Sequence, residues 1–177
     1  GPYEISATLS PEEVLSNYTI TYNTADFTIN PKAASVTPNA ASKTYGDADP
    51  VLTGTLEGFL EADGVTATYS REPGETVLDG PYEISATLSP EEVLSNYDIT
   101  YNEGEFTINA RPIEVTADPQ SKTQGDPDPA LTYQLTSGSL VGEDSFSGAL
   151  NRDPGESAGI YAINQGTLTA GSNYAIT

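Results

Sequence analysis

The chain of 177 residues carries 26 Asp and Glu against 6 Lys and Arg, a net charge of −20, and contains no His, Cys, Met or Trp. That charge makes nucleic acid and anionic membranes poor partners. The absent side chains remove the thiol nucleophile, the thiolate and imidazole metal ligands, the commonest general base at neutral pH and every disulfide.

From the start of the chain, Tyr3, Ile5, Ala7 and Leu9 alternate with Glu4, Ser6 and Thr8, the period-2 pattern of a strand with one buried face. In the following stretch, Ser10 to Asn17, Ser10 predicts an N-cap, Pro11 the first helical position and Glu13 the other half of a capping box, so one or two helical turns are expected. Tyr18–Tyr22 and Phe27–Ile29 alternate again. Further strands are predicted over Ala33–Thr37, Val51–Leu56 and Val65–Tyr69, with a turn over Gly58–Asp63. The opening pattern returns as a strand over Tyr82–Leu88 and a helical turn over Ser89–Asn96. Ile113–Ala117, Leu131–Leu135 and Ile160–Ile163 complete the strands, while Gln165–Gly171, with two glycines and no cap, predicts a loop. One-sided strands favour antiparallel pairing, and Tyr3, Tyr18, Tyr22, Tyr69, Tyr82, Tyr97 and Tyr101 are assigned as half-buried core residues on or beside them. The expected fold class is mainly β: tandem small antiparallel β-sandwich modules of immunoglobulin-like type, each with one short helical turn. The capped turn leaves a β-grasp-like α+β module as the alternative.

The order of elements reflects an internal repeat. Gly1–Tyr18 recurs unchanged as Gly80–Tyr97, an offset of 79, and carried on to Asn30 and Asn109 the match breaks at only four positions. Ser42-Lys43-Thr44-Tyr45-Gly46-Asp47-Ala48-Asp49-Pro50 aligns with Ser121-Lys122-Thr123-Gln124-Gly125-Asp126-Pro127-Asp128-Pro129, and Arg71-Glu72-Pro73-Gly74-Glu75 with Arg152-Asp153-Pro154-Gly155-Glu156. The chain therefore parses into residues 1–30 as the C-terminal part of a repeat, 31–109 as a complete repeat and 110–177 as a repeat lacking its last strand. Thirty residues cannot bury an apolar face alone, so the sequence reads as a window on a longer tandem array. All six basic residues fall in register, Lys32 with Arg111, Lys43 with Lys122 and Arg71 with Arg152. Local neutralisation of an acidic module is the expected role, with Lys32 and Arg111 contributing to packing between modules.

The succession SKTYGDADP, LEGFL, REPGE, GPYEI and SNYDITYNEGEFTIN resembles the MBG domain of the YGX type, a repeat of large secreted and surface-anchored bacterial adhesins. The third copy departs from it at Gln124, where the second has Tyr45. The resemblance implies an extracellular, bacterial cell-surface location and a stalk or spacer that projects a distal binding domain. It carries over no catalytic or ligand residue. The partners it implies are neighbouring repeats of the same chain and a cell-surface or host ligand at a distal tip, with no membrane insertion of this segment.

The best-placed candidates for chemistry are the acidic pairs Asp47 and Asp49, and Asp126 and Asp128. Oxygen ligands at alternate positions suit Ca²⁺, but the rest of a calcium ligand set is missing and Gly-Asp-x-Asp-Pro is an ordinary turn in which Asp caps the backbone. The same pairs, weighed as a glycosidase dyad, recur in each unit where an active site would not, so the chain is read as non-enzymatic. Lys43 and Lys122 are placed in turns, away from the strand setting that a Lys–Asn cross-link needs. Two other readings compete with the spacer: repeats that bind glycan or protein weakly and gain avidity from number, and repeats that self-associate into a filament.

Overall fold

The computed structural model describes residues 2–177. The second repeat consists of two small sheets facing each other. β3 (Lys32–Pro38) is the centre of a three-stranded sheet, between β5 (Gly54–Glu57) and β8 (Tyr97–Tyr101). The second sheet runs β4 (Ala41–Thr44), β9 (Gly104–Asn109), β7 (Tyr82–Ser89), β6 (Thr66–Arg71). The two sheets meet through β3 against β7 and β5 against β6. Alternation decides which side chains fill the space between them. Ala34 and Val36 point in from β3, Tyr82, Ile84 and Leu88 from β7, and Phe106 and Ile108 from β9. Full burial of Val36, Ile84, Leu88, Phe106 and Ile108 is worth about 1.5–3 kcal/mol each.

Pairing is antiparallel in β3·β5, β6·β7 and β7·β9, but parallel in β3·β8 and β4·β9. The parallel pairs join strands far apart in sequence, which one-sided alternation does not reveal. The helical turn over Glu91–Leu94 has no buried residue and lies beside β8. A β-grasp helix would pack across a sheet, so the sandwich-like arrangement is the one observed.

In the third repeat, β10 (Arg111–Ala117) takes the place of β3, pairing antiparallel with β11 (Tyr133–Ser137) and parallel with β14 (Tyr174–Ile176). β12 (Asn151–Arg152) and β13 (Ile163–Asn164) are short remnants of β6 and β7. Gln165–Gly171 is a loop, as expected, closed by a bridge between Ser147 and Thr169. In the first segment β1 (Tyr3–Ile5) pairs with β2 (Ala25–Phe27), and both are exposed throughout.

Several expectations need correction. The helix N-caps are Pro11 and Pro90, with no side-chain capping bond. Ser89 is the last residue of β7, and its hydroxyl lies 3.1 Å from Thr66 Oγ1, so the strand uses the side chain expected to cap. Proline occupies the cap because its fixed φ suits the extended conformation found there. The predicted turn over Gly58–Asp63 ends in a single 3₁₀ turn, Glu61–Asp63. Tyr18–Tyr22 is not a strand, because its counterpart β8 depends on pairing with β3 and among the described residues no equivalent of β3 pairs with the first segment. Of the tyrosines assigned to the core, Tyr82 and Tyr97 are buried and Tyr69 half-buried, whereas Tyr3, Tyr18, Tyr22 and Tyr101 are exposed.

Candidate functional site

Two constellations gather the polar residues singled out in the sequence. The first lies inside each repeat. Arg71, the last residue of β6, uses all five guanidinium N–H donors: Nε and one Nη2 hydrogen bind Asp49 at 2.6 and 3.1 Å, Nη1 binds the carbonyls of Glu72 and Gly74 at 2.9 and 2.7 Å, and the other Nη2 hydrogen binds Glu75. This explains the spacing of Arg-Glu-Pro-Gly-Glu, whose turn folds back over its own arginine. The guanidinium also stacks over the rings of Phe106 and Tyr82, 4.7 and 5.5 Å from their centroids, an arrangement favoured by the ring quadrupole. Lys43 completes the cluster, 2.7 Å from Asp49 and in contact with Glu75. Its side chain is only 4% exposed.

Lys43 lies on β4 and not in a turn, because Ser42, Lys43 and Thr44 pair in parallel with Thr107, Ile108 and Asn109 of β9. The amide of Asn109 binds the carbonyl of Lys43, and the ammonium faces two carboxylates. Hydrogen bonds from Arg71, then from Lys43, hold Asp49 at about 2, well below its usual pKa of 3.8. Glu75 is lowered chiefly by Lys43. Burial works against the charge on Lys43, but its bonds to Asp49 and Glu75 outweigh it and the pKa is raised. A protonated amine beside an ionised acid is the reverse of what amide condensation requires, so this cluster is a fixed ion-pair network.

The third repeat reproduces the arrangement with Lys122, Asp128, Arg152 and Glu156. Arg152 binds Asp128 at 2.8 and 3.1 Å and stacks on Tyr161 at 5.4 Å, while Lys122 reaches Asp128 and Glu156, each at 2.6 Å. Asp128 is likewise held at about 2, by Arg152 first and Lys122 second. Of the four candidate calcium ligands, Asp49 and Asp128 are therefore each committed to two cations. Asp47 pairs elsewhere, and Asp126 is exposed. Among the described residues no group of three or more acidic side chains is placed to hold a metal ion.

The second constellation joins the repeats. β9 ends at Asn109 and β10 begins at Arg111, so one residue links the modules. All three residues of the Tyr45-Gly46-Asp47 turn touch the third repeat. The Tyr45 hydroxyl donates to Asp144 Oδ2 at 3.0 Å, and its ring meets that of Tyr174 edge to face at 5.5 Å. Gly46, at φ +83°, lies so close to Val141 that a β-carbon would come within 2.4 Å of its side chain. Asp47 accepts from Arg111 Nη2 at 3.2 Å. Beside them, the Val77 amide donates to Asn173 Oδ1 at 2.9 Å.

The receiving surface is itself braced. Tyr174 donates to Asp144 at 2.6 Å and accepts from the Val141 amide at 2.8 Å. The bond to Asp144 is the main cause raising the pKa of Tyr45, whereas burial comes first for Tyr174. Both phenols thus stay protonated donors at neutral pH. Arg111 packs between modules as expected. Lys32 does not: its ammonium binds the Gly58 carbonyl of its own repeat. The difference between Tyr45 and Gln124 assigns no role from the sequence alone, although an aromatic residue in a Gly-Asp turn outside the strand alternation is a signal of one.

A family model for the MBG domain of the YGX type matches residues 34–107 and again 113–177. No curated protein and no solved structure matches the chain.

Proposed function

The chain belongs to the MBG domain family, YGX type, and on that premise we propose that its repeats form a semi-rigid spacer in a secreted or surface-anchored bacterial protein, holding a distal binding domain away from the cell. The observation that carries this reading is the joint. A one-residue linker and a turn whose three residues all dock on the next module restrict rotation between repeats, so length accumulates with copy number. Each module of this size spans about 30–40 Å, from the scaling of domain radius with chain length. Stability in such an array is roughly a sum of module and junction contributions.

Other features support the same role. The positively charged side chains are committed to ion pairs within or between modules, apart from Lys32 on its carbonyl, which leaves an acidic surface that repels its own copies. No helix among the described residues is long and apolar enough to cross a membrane. The reading assigns these modules no catalysis. Small-angle scattering of the whole chain tests it: an elongated particle with the two matched repeats end to end is expected, and a compact, folded-back shape would overturn it.

A further inference from the structure

The surface that receives Tyr45 in the third repeat exists a second time, on the second repeat. There Tyr97 donates to Asp63 and accepts from the Leu60 amide at 3.0 Å, matching the Tyr174, Asp144 and Val141 scaffold bond for bond. Lys32 stands at the position of Arg111, and its amide binds the Asn96 carbonyl as that of Arg111 binds Asn173. The two surfaces differ in being covered. Val141, Arg111 and Asn173 are half-buried beneath the docked turn, whereas their counterparts Leu60, Lys32 and Asn96 are exposed, Leu60 by 53%. Among the described residues, no hydrogen bond or ion pair joins residues 2–30 to Leu60, Asp63 or Tyr97.

We propose that Leu60, Asp63, Tyr97 and Lys32 form an open socket whose occupant is the Tyr-Gly-Asp turn of another repeat of this kind, seated as Tyr45-Gly46-Asp47 is on the third. The inference rests on the spacer reading and adds its recognition rule. The tyrosine hydroxyl takes the free lone pairs of Asp63, as Tyr45 shares Asp144 with Tyr174. The glycine fits against Leu60 because it lacks a β-carbon. The aspartate draws Lys32 off the Gly58 carbonyl, replacing a neutral acceptor with a charged one. The turn is tied to Asn109, where the chain leaves the module, and the socket includes Lys32, where it enters, so the rule propagates in one direction only.

The test inserts a second copy of residues 31–109 between Asn30 and Pro31 of the full chain, placing a Tyr-Gly-Asp turn next to the socket. Because the chain has no cysteine, paired spin labels can be introduced at unique sites across either joint. The expected result is a narrow distance distribution across the new joint, like that across the Tyr45–Asp144 joint, and loss of the narrow peak when Tyr45→Ala is made in the inserted copy alone, which leaves the socket intact. A broad distribution across the new joint with a narrow one across the original would overturn the socket but not the spacer. Broad distributions across both would overturn both. A narrow peak indifferent to Tyr45→Ala would also overturn the socket, since the order would then come from the linker.

Discussion

Tyr45 of the second repeat and Tyr174 of the third meet edge to face, with ring centroids 5.5 Å apart at 77°, and donate their hydroxyls to the same oxygen of Asp144, at 3.0 and 2.6 Å. The pair couples one module's turn to the next module's interior, because Tyr174 is buried while Tyr45 also packs against the core cluster of its own repeat. Tyr45→Phe keeps the ring and loses the hydroxyl, weakening the joint by about 1 kcal/mol. Tyr45→Gln, which reproduces the third copy's turn, also loses the aromatic contact, a further 0.5–1.5 kcal/mol or about that. Hydrogen exchange at the Val77 amide, which bonds Asn173 across the joint, should accelerate in that order. Equal rates in all three proteins would contradict the assignment.

Gly46 and Gly125 occupy the same turn position with similar backbone, φ +83° and +96°, but only Gly46 has a neighbour within reach of a β-carbon. Alanine at either position incurs the left-handed strain of about 1–2 kcal/mol. Gly46→Ala additionally drives a methyl into Val141. It should therefore destabilise the joint in thermal melts and Val77 exchange, whereas Gly125→Ala should lower the stability of the third repeat alone.

Removing one cation from the ion-pair network leaves its carboxylates facing each other. Loss of one partner of a fully buried pair costs about 3–5 kcal/mol. Asp49 and Glu75 are 38% and 63% exposed, so water recovers part of that cost, and Lys43→Ala should destabilise the second repeat by about 2 kcal/mol. Lys122→Ala, at a site where the lysine is 20% exposed, should cost less. Denaturant unfolding of the two variants compares them directly, and an equal effect would show that burial does not set the energy.

Acid should loosen both networks in a defined window. Asp49 and Asp128 sit at about 2 when folded against an ordinary 3.8, so between these values the unfolded chain binds more protons than the folded one. Their contribution is complete above about pH 4 and is lost as pH falls toward 2. Asp49→Asn and Asp128→Asn should each flatten the stability profile in that range and leave its shape above pH 5 unchanged.

Calcium should have no effect on folding. Both oxygens of Asp49, and both of Asp128, are held by lysine and arginine, which an ion would have to displace without gaining the six or more oxygen ligands it prefers. Melting temperatures in EDTA and in millimolar Ca²⁺ are expected to coincide, and a rise with Ca²⁺ would place a site at Asp47, Asp49, Asp126 or Asp128 after all.

Much of this arrangement is legible in the sequence. Alternation located β3, β6, β7 and β10, because a one-sided strand must present its apolar residues every second position. The repeat offset pairs Lys43 with Lys122, the shared Arg-x-Pro-Gly-Glu motif pairs Arg71 with Arg152, and both pairs perform the same task. What the Arg-Glu-Pro-Gly-Glu turn binds was not legible, since Asp49 lies 22 residues before Arg71 and only strand pairing brings them together. The joint was hidden for the same reason: Tyr45 and Asp144 are 99 residues apart.

The sharpest division lies between identical segments. Sequence alone dictates that Tyr3–Leu9 and Tyr82–Leu88 have the same alternation, and that Ser42–Thr44 and Ser121–Thr123 are the same three residues. Tertiary structure makes Ile84 fully buried and leaves Ile5 52% exposed, and it makes Ser42–Thr44 a strand while Ser121–Thr123 is not. The physical reason is that a strand needs a hydrogen-bonding neighbour and an opposing apolar face, both supplied by distant residues. In the second repeat β9 pairs with both β4 and β7, and β3 faces β7 across the core; β2 gives β1 the same neighbour in the same register, Tyr3 opposite Phe27 as Tyr82 is opposite Phe106, but among the described residues no sheet faces β1, and no strand pairs with Ser121–Thr123 in the third repeat.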